Sequence, residues 1–161
     1  MDISFKLKAL HEAGVSIHLH VFCKQERHAP MLQQWCEEVH YYKRSVFSWI
    51  KHPMLPYIVS SRINSTLQKR LSQDDYPILC EGTHTSFYLL LDKLKPRKKI
   101  LRLHNIEHIY YRELARWEKN LFKKLYFSIE SALLKRFEEN LFWKFPILTV
   151  SKNDAKTINE S

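Results

Sequence analysis

Two short polar stretches carry the side chains that could do chemistry, and each follows directly on an apolar run. Cys80-Glu81-Gly82-Thr83-His84-Thr85-Ser86 follows the run from Tyr76 to Cys80, and His104-Asn105-Ile106-Glu107-His108 follows Ile100 to Leu103. Imidazoles and carboxylates hold polar ligands and move protons near neutral pH. Taken one at a time, these residues have structural roles open to them. Thr83 or Thr85 can cap the next helix, Glu81 can pair with a lysine, and His104 and Asn105 can satisfy turn backbone. Taken together at one sheet edge, the two clusters read as a ligand site.

Other chemistries fit less well. His104 and His108 stand four apart, but the zinc motif HExxH needs glutamate directly after the first histidine on a continuous helix, and that position is Asn105. His18 and His20 share one face of a strand with no third ligand in view, so no metal is expected. Cys80 ends an apolar run, which argues for a buried thiol over a nucleophile activated by His84. Cys23, Cys36 and Cys80 are odd in number and widely spaced, and all three are read as buried thiols. Gly14 and Gly82 are the only glycines, which excludes the glycine-rich nucleotide loops that let backbone approach a phosphate.

The elements that must position these clusters follow from periodicity. Ile3, Phe5, Leu7, Leu10 and Ala13 form a helical stripe that stops at Gly14. Val15 to Phe22 alternates as a strand, with a second strand over 39–46. Residues 24–36 are polar with a short helical patch, and 47–57 form an irregular hydrophobic loop. A helix over 58–71 precedes a buried strand at 76–80, and a helix over 85–93 precedes a buried strand at 100–103. Helices follow at 106–118 and 121–143, the second carrying Phe122, Leu125, Ile129, Leu133 and Phe137 at three- and four-residue steps. A strand over 146–150 leads to Ser151, which with Asp154 opens a last helix in the manner of a capping box. This order gives an α/β fold, a parallel sheet flanked by helices, with the strand C-terminal ends on one edge.

The chain has 161 residues, 45% of them hydrophobic and 27% charged, which suits one globular domain over 1–161. No apolar run reaches the roughly 20 residues that cross a bilayer, and the N-terminus does not resemble a secretory signal, so a cytoplasmic location is expected. The formal charge of +9 favours anionic partners. Lys93 to Lys99 and the group Lys119, Lys123, Lys124, Lys135 and Arg136, interleaved with Trp117, Phe122, Tyr126 and Trp143, read either as a surface for anionic lipid or as a solvated helix face over core aromatics. Nucleic acid is not expected, because no known reading motif is present.

One stretch has a family likeness. Arg102-Leu-His-Asn-Ile-Glu-His-Ile-Tyr-Tyr-Arg-Glu-Leu-Ala115, followed by Lys123-Lys-Leu-Tyr126, Glu130, Leu134-Lys135, Glu138 and Leu148-Thr-Val-Ser151-Lys-Asn-Asp154, resembles the N-terminal half of a bacterial GT-B glycosyltransferase of the family 1/family 4 type. Leu7-Lys-Ala-Leu-His-Glu-Ala-Gly14 and Ile17-His-Leu-His20 resemble that family's first helix and second strand, and Ile78-Leu-Cys-Glu-Gly-Thr-His-Thr85 its acceptor-side strand and loop.

The resemblance implies a Rossmann-like, acceptor-binding domain that works across a cleft from a second domain holding a nucleotide-sugar donor. His104 would be the catalytic residue, contacting the transferred sugar or an acceptor hydroxyl, with Glu81, His84, Asn105 and Glu107 binding substrate. No metal or cofactor beyond the donor is implied. The partner would be a sugar or lipid-linked acceptor in envelope or capsule polysaccharide synthesis, at the inner face of the membrane. Measured against this family, the first strand with its glycine loop and the C-terminal donor domain are absent, so a truncated chain, inactive alone, is expected. The rival reading is a non-enzymatic basic α/β module that binds an anionic membrane surface or nucleic acid.

Overall fold

Gly14 ends the first helix, as its position predicts. In the computed structural model, which describes residues 2–23 and 29–159, α1 spans Asp2–Glu12 and Gly14 has φ +78°. The Gly14 N–H donates to the His11 carbonyl at 2.9 Å and the Val15 N–H to the Leu10 carbonyl at 3.0 Å. This pair of bonds satisfies carbonyls that the helix end leaves open, and the left-handed residue between them favours glycine. The chain divides into two compact units, Met1–Arg44 and Ser45–Ser161.

In the first unit, β1 (His18–Cys23) pairs in parallel with β2 (Glu38–Lys43), from His18 opposite Glu38 to Cys23 opposite Lys43. The strand begins later than the alternation from Val15 suggests. A strand needs a neighbour to supply its ladder, and upstream of Glu38 the chain turns through a 3-10 helix, Pro30–Gln34. Across the pair, the His20 and His40 rings stack at 5.3 Å, and His20 Nδ1 lies 2.9 Å from the Tyr42 hydroxyl. The polar stretch expected from residue 24 lies outside the described residues as far as 28. Cys36 is buried as expected, but Cys23 is only partly so.

The second unit contains α2 (Ser48–Lys51), α3 (Tyr57–Ser60), α4 (Ser65–Leu71), β3 (Ile78–Glu81), β4 (Lys99–Leu103), α5 (Glu107–Trp117), α6 (Leu121–Phe142), β5 (Ile147–Thr149) and α7 (Lys152–Asn159). Its sheet runs β3–β4–β5, all parallel. The protein is thus α/β, with parallel strands in two small sheets flanked by helices, consistent with a Rossmann-like fold. Ser151 caps α7 as expected: its Oγ accepts from the N–H groups of Asn153 and Asp154 at 3.2 and 3.4 Å.

Several expectations are corrected. The helix over 58–71 is two helices, because Asn64 caps a new start by accepting the Leu67 N–H at 3.0 Å. The segment after β3 is 3-10, over Thr83–Leu90 and Asp92–Leu94, where an α-helix was expected. Its hydroxyls compete for backbone carbonyls: Thr85 Oγ1 donates to Glu81 and Gly82, and Ser86 Oγ to Thr83. The strands are buried on one face only. Ile78, Cys80, Leu101 and Leu103 lie inward, while Leu79, Ile100 and Leu148 are exposed on the other face.

The inward residues of α6 are Glu130, Leu134, Phe137, Glu138 and Leu141. Of the stripe read from the sequence only Phe137 is buried; Phe122 is 87% exposed, and Leu125 and Ile129 also face outward. The helix has two apolar arcs, and packing selects between them. α6 packs on α5 across the short connection Glu118-Lys119-Asn120. Tyr111 meets Phe127 edge-on at 6.0 Å, and Ser131 Oγ donates to the His108 carbonyl at 2.8 Å.

Candidate functional site

Strand alternation and register place Glu81, Arg102 and His104 together. Glu81 ends β3 directly opposite Arg102 of β4, and His104 lies two residues beyond Arg102, hence on the same face. Arg102 Nη1 donates to Glu81 Oε2 at 3.1 Å. His104 Nε2 lies 3.2 Å from the same oxygen and 3.3 Å from Arg102 Nη1. Protonated at Nε2, the imidazole donates to Glu81; protonated at Nδ1, it accepts from Arg102. His104 remains the more open of the three, with its side chain 37% exposed against 20% for Glu81 and 17% for Arg102. A carboxylate and a guanidinium therefore orient an imidazole that a ligand can reach. Glu81 pairs with Arg102 and His104, where a lysine was the alternative.

Gly82 turns the chain out of this cluster. Its φ of +79° and ψ of 155° fall in a region that only glycine occupies without strain, and its N–H donates to the Arg102 carbonyl at 2.7 Å. The His84 ring lies over it: a Cβ here would stand 2.7 Å from His84 Cε1 and 2.8 Å from Nδ1. Gly82→Ala is therefore expected to displace the His84 ring and to destabilise the second unit by about 1–3 kcal/mol. Urea unfolding and the His84 ring resonances check this; unchanged values for both would contradict it.

Behind the cluster lies a junction built on Glu138. This carboxylate is fully buried and accepts four hydrogen bonds. They come from Thr83 Oγ1 at 2.6 Å, the Glu107 N–H at 3.0 Å, the His108 N–H at 3.1 Å and His108 Nδ1 at 2.7 Å. Two of these donors are the first N–H groups of α5, which lack partners within their own helix and carry its positive end. Thr83, a candidate cap for its own helix, is engaged by α6. The loop after β3 and the loop after β4 are thus tied to one residue of a third element.

The remaining candidates separate. His84 stands over Gly82, Asn105 is exposed at the turn after β4, and Glu107 opens α5 with its N–H committed to Glu138. Burial, and then the Glu138 charge, raise the Glu107 carboxyl above the usual range, with Arg62 opposing. A carboxyl raised on folding stabilises the fold most while protonated. Its contribution is lost as pH rises from the unfolded value near 4.5 through the folded one. Glu107→Gln is expected to raise stability at neutral pH and to remove part of the decline above pH 4.5, as denaturation at a series of pH values would show.

Cys80 is buried; its Sγ donates to the Thr85 carbonyl at 3.6 Å, and burial pushes the thiol up to about 12, so it is neutral at physiological pH. Among the described residues no three His, Cys, Asp or Glu gather as a metal site, and no helix is long and apolar enough to cross a membrane. Sequence reasoning gave no role to Arg102 or Glu138. The available signal for Glu138 was a carboxylate in step with Glu130, Leu134 and Leu141 on one helix face, where an acid must find donors if that face is buried.

Among known proteins, the chain is similar to an uncharacterized 44.6 kDa protein in cps region of Klebsiella pneumoniae, with 30% identity over 164 residues. The alignment takes in 96% of this chain and 42% of the relative, so the chain spans less than half of that protein's length. No protein-family model matches the chain, and no solved structure matches it.

Proposed function

We propose that this chain is the acceptor-binding part of a nucleotide-sugar-dependent glycosyltransferase that builds capsule or cell-envelope polysaccharide. One arrangement carries the reading: His104, held by Glu81 and Arg102, stands open at the C-terminal edge of a parallel sheet, where open α/β sheets bind ligands. The relative from a cps (capsule) region supports polysaccharide as the product class.

In this reading Glu81 holds the imidazole through His104 Nε2–H, and an acceptor hydroxyl lies against Nδ1, which accepts its proton or holds its oxygen, while His84, Asn105 and Glu107 flank the saccharide. The hydroxyl oxygen bonds to the anomeric carbon of the donor, and the nucleoside diphosphate leaves. A second domain, beyond these residues, binds the donor.

The test uses the longer protein with membrane lipid extract as acceptor and a panel of radiolabelled nucleotide sugars. Expected is label in lipid-linked saccharide from one donor, lost on His104→Ala. Transfer from no donor, or undiminished transfer by both His104→Ala and Glu81→Ala, would overturn the reading.

A further inference from the structure

The outward arc of α6 has its own chemistry. At 100° per residue, Leu121, Phe122, Leu125 and Ile129 fall within about a 100° arc. Trp117, across the turn from α5, is 76% exposed, and Leu121 is 78% exposed. Interleaved with them are Lys119, Lys123 and Lys124, all exposed. No aspartate or glutamate occurs from 119 to 129. Of the neighbouring cations, Arg116 pairs with Glu113 and Lys135 with Glu139, each at 3.8 Å; among the described residues Lys119, Lys123 and Lys124 have no ion-pair partner.

Their position is costly for the helix. Lys123 and Lys124 lie in the first turn of α6, against the positive end of its dipole, and that turn contains no acid. Cations there find their counter-charge outside the chain. A protein partner suits the arrangement poorly, because lysine is depleted from the cores of protein interfaces. Nucleic acid suits it less well: bases could stack on Trp117 and Phe122, but exposed Leu121, Leu125 and Ile129 would stay unpartnered beside a nucleic-acid backbone. Bulky apolar groups ringed by lysine match the boundary between acyl chains and anionic headgroups.

We infer that the tip of the α5–α6 hairpin docks on an anionic phospholipid surface, inserting Leu121, Phe122 and Leu125 while Lys119, Lys123 and Lys124 meet the headgroups. This rests on the patch alone and stands whether or not the sugar-transfer reading holds.

Sedimentation with vesicles tests it, using the whole chain, phosphatidylcholine alone or mixed with phosphatidylglycerol, at low and high salt. Expected is partition to the mixed vesicles only, weakened by salt. The double variant Lys123→Gln/Lys124→Gln should bind roughly 30-fold more weakly, and Phe122→Ser/Leu125→Ser should lose at least as much. All four side chains are exposed, so circular dichroism and melting should match the wild type. Failure to bind either vesicle, equal binding to both, or full retention by both variants would overturn the inference. So would preferential binding to RNA, or self-association that buries the patch.

Discussion

Glu138→Ala is expected to destabilise the second unit by about 3–5 kcal/mol, the range for removing one partner from a buried, hydrogen-bonded charged group. The substitution strands four donors at once: the Thr83 hydroxyl, the His108 imidazole and the first two N–H groups of α5. Without the carboxylate these donors lose their acceptor and keep part of their desolvation penalty. Glu138→Gln keeps the volume but turns an amide NH2 toward N–H donors, and should fall between alanine and wild type. The control is Glu139→Ala, one residue on, where an exposed pair with Lys135 at 3.8 Å contributes little. Urea unfolding followed by circular dichroism measures all three. Equal stability of the Glu138 and Glu139 alanine variants would show that the junction does not hold the loops. The same device recurs on α6: buried Glu130 accepts the Tyr57 N–H at 3.0 and 2.9 Å, at the start of α3.

His104→Ala should lower sugar transfer by about 10²–10⁴-fold in the longer protein, the range for loss of a positioned proton-transfer group. Because the side chain is partly open and on the uncovered face of the sheet, melting should stay near the wild-type value. Glu81→Gln leaves an acceptor for Arg102 but removes the charge that orients the imidazole, and a smaller loss of transfer is expected with the fold intact. The two predictions separate by readout. The Glu138 junction moves stability first, and activity only through the loops it ties down. The His104 cluster moves activity without stability. A His104→Ala protein that loses stability as well as transfer would place the imidazole in the structural framework and remove it from the chemistry.

Local chemistry in the sequence was enough to place the end of α1 and the start of α7. Gly14 alone tolerates the left-handed turn that closes α1, and Ser151 accepts the first N–H groups of α7; each signal acts within a few residues, so the sequence contains all of it. The clusters around Glu81 and His104 were legible for a similar reason, since polar residues directly after apolar runs mark strand ends, and parallel strands gather those ends on one edge. Periodicity went no further. It found apolar residues on α6 but not which of them pack inward, because a helix with two such arcs is resolved only by what packs against it and by where Glu130 and Glu138 find donors. Which strands share a ladder, that Arg102 stands opposite Glu81, and that Thr83 and His108 meet on a residue of α6 are all contacts between distant segments. The tertiary structure decided these, because a buried carboxylate or a strand register is fixed by partners tens of residues away that no local pattern encodes.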